Sequence, residues 1–161
     1  MAKIERKYLA HFINAAPVGA EAPIYQQLGK DLEEFSPELS AQVETKKNIL
    51  GQTNVIISGY EKTGAVEPYY AEAGDALFER LQTIIDERQV LENLRTQVVE
   101  VKLWDAVEGG KYPAIREEAY IEVTSYGGDT SGYQIPFTLH FTGERVKGTF
   151  DVATKTFTES N

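Results

Sequence analysis

The chain has 161 residues and a formal net charge of −9, and it contains no cysteine. This length allows one domain with a substantial core that needs neither disulfides nor metals. The absence of cysteine excludes thiol catalysis, cysteine-ligated zinc and a disulfide framework. A chain this acidic is not expected to bind the phosphate groups of nucleic acid, because that binding mode requires a basic surface.

No segment has the character of a targeting or membrane sequence. The amino-terminal stretch MAKIERKYLAHFIN is charged and interrupted, without the apolar core of a signal peptide. No run approaches the roughly 18 apolar residues of a membrane-spanning helix. We therefore expect a protein that is made and folds in a cytosol, with no membrane partner.

Three strands are predicted in the first 60 residues. Arg6–Asn14 carries bulky residues on both sides, which predicts a strand that is covered on both faces. A short strand is predicted at Ile24–Leu28. Thr53–Gly59 has β-branched residues on both faces and is predicted to lie in the centre of a sheet.

The segment Leu32–Gln52 is long for a connection within one domain, and its apolar residues are sparse. Residues 39–46 alternate as in a strand, and Ser36-Pro37 is predicted to form a turn between two arms. Three glutamates then lie near the tip. Such a segment is either a mobile surface loop or an arm that becomes ordered by pairing with another chain.

The clearest helical periodicity lies in Gly74–Arg88. Asp75 is placed to act as the N-cap. Apolar residues recur at helical spacing at Leu77, Phe78, Leu81, Ile84 and Ile85. The pattern predicts an amphipathic helix whose apolar face covers a sheet.

The second half of the chain is predicted to be a meander of strands. The predicted strands are Arg95–Trp104, Glu117–Ser125, Ile135–Phe141, Arg145–Phe150 and Lys155–Thr158. Tyr126–Gly132 and Gly143-Glu144 have the composition of turns. No repeat or linker divides the sequence, so residues 1–161 are expected to form a single α+β or mainly-β domain.

The residues that could carry catalysis are few and isolated. Ser131 lies among glycines, as a hydrolase nucleophile often does, but it would need a histidine base held by a carboxylate. The two histidines, His11 and His140, are too few for a zinc site. The adjacent pair Glu117-Glu118 points to opposite faces of a strand and is interpreted as solvated charge. We expect no catalytic, cofactor or metal site.

Three long stretches together resemble the major tail (tail tube) proteins of long-tailed bacteriophages and prophages. They are LGKDLEEFSPELSAQVETKKNILG at Leu28–Gly51, SGYEKTGAVEPYYAEAGDALFERLQ at Ser58–Gln82 and VTSYGGDTSGYQIPFTLHFTGERVKGTFDVATKTFT at Val123–Thr158. The resemblance covers most of the chain in the right order, and it rests on long stretches of sequence rather than on a short motif.

The resemblance implies an α+β, mainly-β fold: an antiparallel β-sandwich or barrel-like tail-tube domain. It would carry one flanking amphipathic α-helix, at about residues 75–88, and a long extended hairpin or loop, at about residues 32–52. This fold is similar to that of the ring-forming tube subunit of type VI secretion systems.

The resemblance also implies a structural virion protein rather than an enzyme. Subunits of this family form hexameric rings that stack into a hollow tail tube. The partners would be further copies of the chain, the tape-measure protein inside the tube, and tail-tip and terminator proteins at its ends. Genome DNA would pass through transiently and non-specifically. The location would be the virion tail, assembled in the cytoplasm of the bacterial host.

Two sets of site residues follow from the resemblance. The region 32–52 matches the part that contacts the neighbouring ring, and the predicted contact residues are Phe35, Pro37, Leu39 and Val43. An acidic lumen would let DNA slide without binding. The predicted lumen-facing acids are Glu33, Glu34 and Glu44.

Two other functions stay open at this point. The chain is alternatively a monomeric β-sandwich binding module that recognises a protein or a glycan through Tyr126–Gly132. An enzyme that uses Ser131 or His140 is the third possibility. A strict monomer would favour the binding module, and turnover lost on replacing either side chain would favour the enzyme.

Overall fold

A computed structural model describes residues 2–105 and 108–160, and these form a mainly-β domain with one α-helix. The strands are β1 (Leu9–Asn14), β2 (Tyr25–Leu28), β3 (Ala41–Lys47), β4 (Thr53–Tyr60), β5 (Thr63–Val66), β6 (Arg95–Lys102), β7 (Lys111–Val123), β8 (Gly127–Asp129), β9 (Gly132–Gln134), β10 (Phe137–Asp151) and β11 (Thr156–Glu159). The helix is α1 (Ala76–Glu87), and short 3-10 turns lie at Arg6–Tyr8, Leu91–Leu94 and Glu108–Gly110. The predicted fold class is confirmed.

The main sheet is antiparallel and curled into a half-barrel. Its strand order is β11-β10-β7-β6-β1-β2, and β5 pairs with the first part of β10. The ring of Tyr25 in β2 lies 5.8 Å from the ring of Phe150 in β10, although three strands separate them in the sheet. Only a strongly curled sheet brings these two strands together.

The two faces of the sheet form two separate apolar clusters. Ile13 of β1 is opposite Val98 of β6, and Phe12 is opposite Val99, so the two pairs point to opposite faces. Ile13 and Val98 pack beneath α1, whereas Phe12 and Val99 pack inside the curl against Phe150. A strand with bulky residues on both faces, as predicted for β1, is what this two-sided core requires.

The predicted helix is confirmed. It spans Ala76–Glu87 and buries Leu77, Leu81, Ile84 and Ile85 against the sheet. Asp75 lies at the N-cap position, but its carboxylate accepts a hydrogen bond from the hydroxyl of Tyr69 and makes no capping bond. At the other end Arg88 is left-handed, with φ 50°, and ends the helix.

The prediction that Thr53–Gly59 lies in the centre of a sheet is wrong. This segment belongs to β4, which pairs with β3 in a hairpin outside the main sheet. Residues 53–58 and Tyr60 are exposed. β-Branched residues on both faces favour an extended backbone, but they do not decide whether another layer covers the strand.

Two further predicted boundaries differ from the structure. The hairpin is Ala41–Tyr60 rather than 32–52, because its turn lies at residues 48–52 and not at Ser36-Pro37. The predicted turn at Gly143-Glu144 is absent, because β10 continues through it with a register shift between Phe141 and Arg145. Gly143, with φ 95°, therefore serves an irregularity within a strand rather than a chain reversal.

Candidate assembly surfaces

The hairpin β3–β4 projects from the domain without a covering layer. Every residue of β3 is exposed, and in the described residues its strands pair only with each other. An isolated two-stranded hairpin is marginally stable in water. Contact with another molecule would therefore stabilise this segment.

One face of the hairpin is apolar. Val43 is opposite Ile57, and Thr45 is opposite Val55, so these four side chains share one face, which we call the apolar hairpin face. The exposed fractions of Val43, Val55 and Ile57 are 57%, 62% and 55%. The opposite face is mostly polar and carries Glu44 and Lys46, whose charged atoms lie 3.5 Å apart.

The hairpin turn is well ordered by its own hydrogen bonds, yet its apex is apolar. The Asn48 side-chain oxygen accepts hydrogen bonds from the backbone N–H groups of Leu50 and Gln52, both at 3.0 Å. Ile49 and Leu50 are 103% and 77% exposed, and we call this pair the hairpin tip. A turn that is ordered by its own hydrogen bonds and exposes two large apolar side chains to water indicates a contact surface.

The base of the hairpin is anchored by Phe35. Its ring lies edge-on to the ring of His11, with the centroids 4.9 Å apart, and it packs against Gly64. Three residues later the backbones of Glu38 and Thr63 exchange hydrogen bonds of 2.7 and 2.9 Å. These contacts decide where the hairpin leaves the domain.

A partly buried polar cluster lies beside this anchor. His11 Nε2 lies 3.1 Å from Glu100 Oε1, and Lys62 Nζ lies 2.6 Å from Glu117 Oε1. The hydrogen bond with His11 lowers the pKa of Glu100 below its ordinary value. The interpretation of Glu117 as solvated charge is wrong, because the β7 backbone aims it at Lys62, although Glu118 does point to the other face.

The lowered pKa of Glu100 predicts a pH dependence of stability. Ionised Glu100 stabilises the folded state fully above pH 4.5, its ordinary pKa, and this contribution disappears as the pH falls through the lower folded pKa. We expect the wild-type chain to be more stable than Glu100→Gln at pH 7, with the difference shrinking toward pH 3. Denaturant unfolding at both pH values measures it, and a constant difference would contradict the assignment.

Removing the Phe35 ring is expected to loosen the hairpin base as well as the core. Phe35→Ala should lower the free energy of unfolding by about 3 kcal/mol, the usual cost of deleting a buried ring. It should also speed amide hydrogen exchange at Glu38 and Thr63. Leu39→Ala, at an exposed neighbour, is the matched control and should change neither quantity. Unchanged exchange in Phe35→Ala would show that the ring does not position the hairpin.

The main sheet has two open edges. β2 is the last strand at one end, and β11 together with β5 lies along β10 at the other. Edge strands offer unpaired backbone N–H and C=O groups to any neighbouring chain. The half-barrel thus carries a second class of surface that a copy of the same chain could complete.

The structure places the predicted contact residues differently from one another. Leu39 and Val43 are exposed near and on the hairpin, at 56% and 57%. Pro37 is half-buried in the segment that leads to it, and Phe35 lies inside the domain with only 5% exposure. The structure therefore exposes Leu39 and Val43 and gives Phe35 contacts within its own subunit.

The predicted lumen-facing acids do not form one cluster. Glu33 and Glu34 are exposed beside a cavity of about 520 Å³ that Arg6 and Lys7 also line. Glu44 is on the polar face of the hairpin and pairs with Lys46.

The sequence-based prediction missed the tip and the β4 half of the apolar hairpin face. Val55 and Ile57 are not predicted as contact residues, because Thr53–Gly59 is predicted to lie in the centre of a sheet. Ile49 and Leu50 lie within the predicted contact region 32–52 but not among its named residues, because the turn is predicted at Ser36-Pro37. A usable signal was present: two alternating arms flank Asn48–Gly51, a short turn-like sequence.

The side chains considered for catalysis have structural partners. Ser131 lies in the predicted turn, and its hydroxyl contacts the carboxylate of Asp129. His11 and His140 contact Glu100 and Glu122. In residues 2–105 and 108–160 there is no group of three or more His, Asp or Glu side chains arranged for a metal ion. None of the helices described there has the length and apolar character to span a membrane.

The comparisons with known proteins bear on the fold. No protein-family model and no curated protein matches the chain. Among solved structures, the chain is similar to the SPP1 tail tube, determined by solid-state NMR and cryo-electron microscopy. The TM-score is 0.62 at 17% identity, over 90% of this chain and 78% of that one. The chain has the fold of a tail tube protein. The tail-tube fold predicted from the sequence resemblance is thereby confirmed.

Proposed function

We propose that this chain is the subunit of a phage tail tube and that it assembles into stacked rings. The observation that carries the proposal is the uncovered hairpin. Its apolar face and tip would be buried by a copy in the next ring, with Leu39 and Val43 among the contacts. A fully buried Val, Leu or Ile side chain contributes about 1.5–3 kcal/mol, so a few of them suffice for a specific contact.

The rings themselves would form through the sheet edges. Pairing of β2 with an edge of the neighbouring half-barrel would close the open sheet and remove its exposed backbone groups. The proposed number of subunits, six, follows the tail tube proteins that the sequence resembles. A curled sheet with two open edges is compatible with any closed ring, so the symmetry is a separate measurement.

The lumen of the tube would carry DNA without holding it. A net charge of −9 makes retention of phosphates unfavourable, since like charges meet in the channel. Glu33, Glu34 and Glu44 remain the proposed lumen-facing acids. The tape-measure protein inside the tube and the tail-tip and terminator proteins at its ends are the proposed partners, and the host cytoplasm is the proposed place of assembly.

Negative-stain electron microscopy of the purified chain across a concentration series, together with light scattering, tests the proposal. Rings or hollow tubes that grow with concentration are the expected result. If the chain is monomeric alone, a tail-tip complex is added as a seed. A chain that stays monomeric in the presence of the seed would contradict the proposal and favour the binding module at Tyr126–Gly132.

A further inference from the structure

An apolar groove lies where the end of α1 meets the end of β7. Its volume is about 470 Å³. The apolar side chains that line it include Ile84, Ile85, Val90, Leu94, Val123 and Tyr126. We call it the helix-end groove. Within the part of the chain that the structure describes, no element covers it.

The rim of the groove exposes large apolar side chains, and the neighbouring Leu91 has a left-handed backbone. Val90 and Tyr126 are 60% and 55% exposed, and the adjacent Leu91 is 79% exposed. Leu91 also has φ 55°, in the left-handed region that a bulky side chain rarely adopts. Contacts within the subunit do not explain why Val90, Leu91 and Tyr126 are apolar, and backbone preference does not explain the conformation of Leu91. This combination is expected of a surface that binds a partner.

The groove and the hairpin tip lie at opposite ends of one extended run. From the turn, the chain runs through β4 and, after Glu61-Lys62, through β5 to Val66. Val66 is opposite Phe137 in β10, and Phe137 is opposite Val123, which lines the groove. Two different surfaces at opposite ends of a subunit are what head-to-tail stacking of identical copies requires.

The charges of the two surfaces are complementary. Lys46 and Lys47 immediately precede the hairpin turn, and residues 45–52 contain no acid, although Lys46 pairs with Glu44 at 3.5 Å. Four acids and two basic residues line the groove or lie within two residues of its lining residues in sequence. The acids are Asp86, Glu87, Glu92 and Glu122, and the basic residues are Arg88 and Arg95. Arg95 pairs with Glu92 at 3.8 Å, and Glu122 contacts His140, so the surplus of acid is modest. The carboxyl end of α1 adds the partial negative charge of its free carbonyl groups. In a chain of net charge −9, a basic tip is distinctive.

We propose that the helix-end groove receives the hairpin tip of the next copy of this chain. Ile49 and Leu50 would be inserted, and the two lysines, one on each face of the hairpin, would lie near its acidic rim. The proposal rests on the proposed tube function and adds the receiving surface. It is a heterologous contact, in which each copy uses its tip on one neighbour and its groove on the other.

The absence of cysteine makes this contact directly testable by disulfide trapping. Leu50→Cys and Val90→Cys chains are prepared separately, mixed, assembled and oxidised. We expect a covalent heterodimer as the main product. Thr154→Cys, at an exposed turn remote in sequence, replaces Val90→Cys as the matched control and should give little heterodimer.

Charge reversal gives an independent readout of the same contact. Lys46→Glu with Lys47→Glu should raise the critical concentration for assembly about tenfold or more. Adding Glu87→Lys and Glu122→Lys should restore it in part. Tubes that form without the heterodimer and without charge rescue would overturn the groove contact and leave the tube function standing. Failure of the wild-type chain to assemble even with a seed would overturn both.

Discussion

Threonine at three positions of the apolar hairpin face is expected to give a folded subunit that no longer assembles at ordinary concentrations. The variant is Val43→Thr, Val55→Thr and Ile57→Thr. Threonine keeps the branched Cβ that favours strands, but a hydroxyl replaces one methyl group of each valine and the ethyl group of the isoleucine. Because these side chains make no core contacts within the subunit, the monomer should keep its melting temperature.

The expected effect on assembly follows from the area that the contact would bury. Losing about 1 kcal/mol at each of three sites amounts to roughly 3 kcal/mol for each hairpin, or a hundredfold rise in the critical concentration. Sedimentation of assembled protein across a concentration series measures this rise. The matched control is Ile56→Thr, on the opposite face and 44% exposed, which should have a smaller effect.

Unchanged assembly in the triple variant would show that the apolar hairpin face is not an intersubunit contact. The pairing of edge strands would then be the remaining candidate for contact between copies. An equal loss in the Ile56→Thr control would instead indicate that both faces of the hairpin are buried on assembly.

Replacing Arg80 by methionine is expected to destabilise the subunit more than any change on the hairpin. Arg80 is only 6% exposed and reaches from α1 between the sheet and its loops. Its Nη1 donates hydrogen bonds of 3.0 Å to the carbonyl oxygens of Asn14 and Ala16, and its Nη2 donates to that of Arg95. Burial lowers its pKa, but a guanidinium stays charged at any working pH.

The cost arises because the carbonyl groups lose their donor. Asn14 keeps a hydrogen bond from Thr96 at 2.7 Å, whereas Ala16 and Arg95 lose the one from Arg80. An unsatisfied buried group costs about 1–3 kcal/mol, so we expect about 3–4 kcal/mol in the free energy of unfolding. Methionine keeps the apolar stem and the helix propensity, so the loss reports on the hydrogen bonds.

Chemical denaturation of Arg80→Met beside Glu79→Met measures this cost. Glu79 is exposed on the same helix, so its replacement should change stability by less than about 0.5 kcal/mol. A loss below 1 kcal/mol in Arg80→Met would mean that water replaces the guanidinium at these carbonyl groups.

The hairpin-face variant and Arg80→Met separate the residues that stabilise the subunit from those available for contact between subunits. Arg80, Phe35 and the residues beneath α1 serve the fold, and changes there should act on unfolding. The hairpin face, the hairpin tip and the helix-end groove are available to a second copy, and changes there should act on assembly. A variant that moves both quantities equally would contradict this division.

The helix and most strands were predictable because their apolar residues recur with the period of an α-helix or a β-strand. Leu77, Leu81, Ile84 and Ile85 identify α1 without any tertiary information. Alternation likewise identified β1, β6 and β7, although β7 begins several residues earlier than predicted. The extended resemblance supplied the fold class, which periodicity alone left between α+β and mainly β.

Periodicity predicted coverage correctly for β1 but wrongly for β4. β4 and β6 are both rich in β-branched residues, yet β6 lies within the sheet, with Val99 and Val101 at 0% exposure, and β4 lies in water. The difference arises from what packs against each strand, and those partners come from distant parts of the chain. The position of Phe35 was missed for the same reason, since His11 and Gly64 surround it.

By itself the sequence determined a strand-rich chain with one amphipathic helix, an acidic net charge and no cysteine, since these depend on composition and short-range spacing. The mainly-β class followed from the sequence resemblance. Only the tertiary structure decided that the hairpin runs over Ala41–Tyr60 with an uncovered apolar face, and that Phe35 anchors it. It also decided where the helix-end groove lies. Burial is a property of residues that meet across the fold, and no local pattern in a chain encodes which of its extended segments will be left without a partner.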